Sequence, residues 1–158
     1  MNVASSIRHL LTLTTVALPI GILSQPVEAR TVAAAVGAVN NSDAGCVSLW
    51  FGTVTNICND RTLSFDWPLP VDSGGNKAVG VIAFAATSSN NVGCLAEGLN
   101  AEATTVSYSN GGAYRFLPAF GSAQNISLVG AFVPGGGQLI VNCRISPGGR
   151  IQVAGWPG

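Results

Sequence analysis

Glu97 and Glu102 lie close together in the sequence. A pair of carboxyl groups held at the right separation can protonate a leaving group and activate water, the chemistry of glycoside hydrolysis. Nothing in the spacing enforces that separation. Glycine and alanine border both residues in a stretch that reads as a loop, so solvated surface charge is the simpler reading. Asp60, Asp66 and Asp72 could offer oxygens to Ca²⁺, but the D-x-D-x-D-G loop that gathers such ligands is absent. The glycines at 135–137 lack a following Lys-Ser/Thr and a helix, and therefore form a turn and no phosphate cradle.

Histidine is scarcer still. His9 is the only one in the chain, and it falls in a leader. Arg8 and His9 form a short basic start, residues 10–23 are apolar apart from threonines, and Val27 and Ala29 supply the small residues read by signal peptidase. The apolar run is too short for a spanning helix, which needs about 20 residues. Cleavage is expected before Arg30, leaving a chain without imidazole. Such a chain runs no Ser-His-Asp or Cys-His mechanism and holds no zinc through histidine. No G-x-S-x-G elbow offers an activated serine.

The four cysteines, Cys46, Cys58, Cys94 and Cys143, all follow the leader. An even count in an exported chain reads as two disulfides, with three connectivities open. No C-x-x-C pair marks a metal site. Cys143 sits in Gln138–Ile145, where Leu139, Val141, Cys143 and Ile145 share one side of an extended chain. That core-facing placement and the apolar stretch around Cys94 favour Cys94–Cys143, leaving Cys46–Cys58.

Exposed aromatic rings stack on sugars, and Trp50, Phe51, Trp67, Tyr108, Tyr114 and Trp156 are the candidates. In small β domains most such rings belong to the core. Trp67 alternates in phase with Leu63 and Phe65, whereas Trp156, close to the end of the sequence, is expected to be exposed. Trp50, Trp67 and Trp156 are retained as candidate ligand contacts. Charges beyond the leader are few and balanced, with no basic run for nucleic acid and no basic amphipathic helix for a membrane surface.

These residues must be positioned by strands. Residues 46–55 are rich in β-formers, 62–67 alternate, and Pro68 and Pro70 are expected to end that pairing. Residues 78–86 are apolar on both faces, as for a central strand. Residues 93–99, 104–108, 113–117, 124–133 and 150–156 complete the series, with turn residues between them. Residues 31–44 fit either a poorly ordered lead-in or a first strand. Asn40 and Asn125 open N-x-S sequons. The chain of 158 residues thus reads as a leader over 1–29, a lead-in over 30–43 and one domain over 44–158. The expected fold is a single antiparallel β-sandwich, jelly-roll or immunoglobulin-like, with about eight strands and two disulfides.

The segment Trp67-Pro68-Leu69-Pro70-Val71-Asp72 resembles a motif of small exported bacterial proteins of uncharacterised function. Those carry an early cysteine, a strand entering Cys-Pro-Leu-Pro-Arg-Asp, a later strand with a central cysteine, and Cys-x-Ile/Leu-Pro near the end. Cys46, residues 63–72, 92–95 and 141–147 are the similar elements. Trp67 stands where that group has its second cysteine; if the group pairs its first two, Cys58 takes that role here. The resemblance implies a sandwich-like exported domain and no activity. The functional expectation is a secreted or periplasmic, non-enzymatic β domain, without metal or cofactor, that binds a glycan or protein surface or serves structurally. Two alternatives stand beside it: an inhibitor or effector presenting a rigid loop, and a carboxylate-only hydrolase.

Overall fold

The computed structural model describes residues 29–104 and 106–157; the leader expected over 1–29 lies outside them but for its last residue. The described chain forms β1 (Ala29–Ala33), β2 (Ala38–Val39), β3 (Val47–Trp50), β4 (Thr53–Asn56), β5 (Leu63–Leu69) and β6 (Gly75–Phe84). It continues through β7 (Val92–Leu99), β8 (Val106–Tyr108), β9 (Arg115–Phe116), β10 (Gln124–Val133), β11 (Gln138–Ile145) and β12 (Arg150–Pro157). Short 3₁₀ turns are the only helical elements among the described residues.

Two antiparallel sheets result. One runs β10-β6-β12-β4-β3 with β1 alongside β12, and the other β2-β5-β11-β7-β8 with β9 alongside β7. Period-two alternation puts Leu63, Phe65, Trp67 and Leu69 of β5 and Leu139, Val141, Cys143 and Ile145 of β11 inward. They meet Val79, Val81 and Ala83 of β6, Ile126 and Leu128 of β10, and Ile151 and Ala154 of β12 in one core. This is the expected sandwich, with more and shorter strands than the sequence suggests.

Three local differences have clear causes. The stretch 46–55 is not one strand but the hairpin β3–β4, because Phe51 and Gly52 both adopt positive φ, 44° and 78°. Pro68 does not end β5; it remains in register opposite Ile140. β2 covers β5 only at Phe65 and Asp66, so Pro68 lies on an open edge, where a missing donor costs nothing. The stretch expected as lead-in or first strand carries β1 and β2, with Arg30–Ala33 running against Val153–Trp156 of β12.

Both staples form as Cys46–Cys58 and Cys94–Cys143. Cys94 and Cys143 sit directly opposite one another on the neighbouring strands β7 and β11, with Cα atoms 4.1 Å apart.

Candidate functional site

Hairpin β3–β4 stands at the end of its sheet, with β3 as the edge strand. Its two-residue turn needs left-handed backbone at both positions, a demand usually met by Asn-Gly or Gly-Gly. Gly52 meets it; Phe51 does so against the steric cost of a bulky side chain. That ring gains almost no burial from the fold, since Phe51 is 92% exposed. Beside it Trp50 is 73% and Leu49 59% exposed. The rings of Trp50 and Phe51 meet edge to face with centroids 5.0 Å apart.

The base of this hairpin is locked. Cys46 precedes β3 and Cys58 follows β4, so their disulfide closes the hairpin below its tip. Asn56, at the end of β4, is fully buried. Its Nδ2 donates to Ile145 O at 2.8 Å and Arg61 O at 2.9 Å, and its Oδ1 accepts from the Cys58 N–H at 3.0 Å. Its backbone exchanges hydrogen bonds with Gly148 and Gly149. Arg61 pairs with Asp60 and, at 3.8 Å, with Asp43. At the tip, Ala35 N–H donates to Gly52 O at 3.2 Å. Between the β3 edge and the β2 edge of the other sheet lies an apolar hollow of about 280 Å³, lined by Gly37, Ala38, Val39, Ala44, Val47, Leu49 and Phe65. The arrangement is a rigid apolar projection next to an apolar hollow.

The other candidate rings lie elsewhere. Trp67 is wholly buried on the core face of β5, its ring against Phe65 and its indole N–H without a partner. Trp156, expected to be exposed, is 3% exposed instead. Its place on β12, opposite Arg30 of β1, turns the ring inward, and its Nε1–H donates to Pro70 O at 2.9 Å. Neither ring can take a ligand. The motif at 67–72 is accordingly a clasp: Trp67 in the core, Pro70 O holding Trp156, and Asp72 paired with Arg30. Of Trp50, Trp67 and Trp156, Trp50 alone faces solvent.

The two glutamates are not held as a pair, in keeping with their reading as separate surface charges. Glu97 is on the outer face of β7, opposite Ile140 and Tyr108, while Glu102 lies in the exposed turn that follows β7. Burial first, and the Asp66 carboxylate second, push the Glu97 carboxyl above its ordinary value. Asp66 is also tied to Asn142 at 2.6 Å. No group of His, Cys, Asp and Glu among the described residues could hold a metal.

No family model matches the chain, and no curated protein does. Among solved structures it is similar to the C-terminal CBM6 of LamC, a marine laminarinase from Zobellia galactanivorans. The TM-score is 0.48 at 15% identity, over 83% of this chain and 100% of that one. It is also similar to the enzymatically active domain of bacteriophage CBA120 tailspike protein 4, with a TM-score of 0.47 at 15% identity, over 82% of this chain and 18% of that one. At this level of similarity neither structure says what this chain binds. On its own residues, the chain is an all-β sandwich with every cysteine in a disulfide, as befits an oxidising compartment.

Proposed function

We propose that this protein is an exported, non-enzymatic binding domain that presents the Cys46–Cys58 hairpin to a protein partner. The observation that carries the reading is Phe51, a bulky ring at positive φ that is almost fully exposed. Backbone strain without a folding reward marks a residue kept for something else. Leu49, Trp50 and Phe51 form an apolar tip without a charged side chain, and such anchors carry most of the free energy in protein interfaces when a pocket desolvates them. Trp50 is committed edge-on to Phe51, and the tip lacks the polar groups that orient a sugar. The hollow beside Leu49 would accept an apolar side chain in return. A disulfide and the Asn56 lock hold the tip before binding, which lowers the ordering cost.

The test places a photocrosslinker at position 51 and exposes the folded protein to the exported protein fraction of its producing cells. A single crosslinked protein is expected, lost in Trp50→Ser and in the double variant Cys46→Ser/Cys58→Ser. Binding of phosphatidylcholine vesicles or of a glycan array through Trp50, without a protein adduct, would overturn the assignment.

A further inference from the structure

The outer face of the other sheet carries a second arrangement, independent of the hairpin. Register places Ser64, Arg144 and Gly93 in one row across β5, β11 and β7, with Asp66, Asn142 and Leu95 in the next. The Arg144 guanidinium lies over the ring of Tyr114, 4.4 Å from its centroid. Tyr114 is fixed in turn, because its hydroxyl donates to Asn142 Oδ1. Asn142 Nδ2 donates to Ser64 Oγ at 3.1 Å and to Asp66 Oδ1. A planar cation is therefore oriented by stacking, by a tyrosine anchor and by an amide held on both sides.

Yet the cation has no anion. The ion pairs of the described residues join Arg30 to Asp72 and Arg61 to Asp43 and Asp60; none reaches Arg144. Beside it lies a depression of about 400 Å³ lined by Thr62, Ser64, Ser146, Phe116 and Arg144. The Phe116 ring occupies the space above Gly93, where an added Cβ would come within 2.5 Å of it. The nearest carboxylates on this face are Asp66, one row away and held by Asn142, and Glu97, two rows away. Both lie on the side opposite the depression, so an anion entering there meets arginine and hydroxyls.

We infer that this depression is a binding site for an acidic saccharide of the hexuronate class. The carboxylate fits the fork of Arg144, which matches two oxygens in one plane. Thr62, Ser64 and Ser146 supply hydroxyls for sugar oxygens, and the exposed face of Phe116 takes the apolar side of the ring. Tyr114 and Asn142 are positioning residues that set the plane of the guanidinium.

The experiment titrates isotopically labelled protein with trigalacturonate, with neutral galactotriose, and with galactose 6-sulfate, and follows amide and arginine Nε–H resonances. Trigalacturonate is expected to shift Ser64, Phe116, Arg144 and Ser146 with saturation, and galactotriose is expected to bind at least about tenfold more weakly. Arg144→Lys keeps the charge but loses the fork, and should weaken uronate binding by about tenfold. Tyr114→Phe should broaden the Arg144 Nε–H signal and weaken binding several-fold while the thermal midpoint hardly moves. Equal binding of uronate and neutral sugar, unchanged affinity in Arg144→Lys, tighter binding of the sulfate ester, or no saturation would each overturn the assignment.

Discussion

Phe51 poses a conflict between stability and use. Left-handed backbone costs a non-glycine residue roughly 1–2 kcal/mol, and asparagine tolerates it best. Phe51→Asn is therefore expected to raise the stability of the domain by about 1 kcal/mol in urea unfolding and to abolish partner binding. A loss of both would mean that the ring serves the fold. Glu97 has the opposite kind of cost. Its carboxyl titrates above its ordinary value in the folded chain because burial and Asp66 disfavour the charge. The protonated form is thus favoured by folding: its contribution is fully present below the unfolded pKa and is lost as pH rises through the folded one. Glu97→Gln should raise the thermal midpoint at pH 7 and leave it unchanged near about pH 3.5, where both forms are neutral. Equal shifts at both pH values would refute the account. At this scale the sequence was a partial guide. Alternation placed Trp67 in the core, but the expectation of an exposed Trp156 was wrong, because its burial depends on pairing with a strand more than a hundred residues earlier.

At the scale of elements, the hairpin and its lock were the hardest to read. A turn of Phe-Gly carries no familiar turn signal, so β3 and β4 merged into a single strand in the sequence. Asn56 was invisible for a related reason: its partners Ile145 and Arg61 are brought to it by the fold. The cysteines, by contrast, announced themselves by count and by phase, and Cys143 pointed to the core as the alternation of β11 requires. The lock makes two predictions. Asn56→Ala removes three hydrogen bonds and leaves buried backbone groups unpaired, and should cost about 2–4 kcal/mol in urea unfolding. Loss of the Cys46–Cys58 bridge should cost up to about 3 kcal/mol, from the short loop it closes. Amide exchange in Cys46→Ser/Cys58→Ser should speed up across Val47–Trp50 and Thr53–Asn56 and remain slow in β11. Uniform acceleration would mean that the bridge supports the whole sandwich and not its hairpin.

Across the whole molecule, both disulfides work within one sheet or beside it. Cys94–Cys143 joins neighbours β7 and β11, and Cys46–Cys58 closes a hairpin of the other sheet. No disulfide spans the sandwich, so the two sheets are held together by their inner faces. The class of fold was legible in the sequence because that cohesion is written as alternation, strand after strand. Sheet membership was not: the stretch 78–86 reads as apolar on both faces yet buries only one, and β5 and β6, consecutive in the chain, belong to different sheets. Trp67 is the largest wholly buried side chain in that interface. Trp67→Ala should cost about 3–5 kcal/mol, more than loss of the hairpin disulfide, and against a usual total of about 5–15 kcal/mol. Trp67→Phe leaves a smaller cavity and removes an indole N–H that has no acceptor, so its cost should remain below about 2 kcal/mol. Urea unfolding of the two variants, with both disulfides verified intact, separates the accounts. If covalent staples held the sheets together, both variants would unfold near the wild-type midpoint; if packing does, the alanine variant loses much of its stability while fully cross-linked.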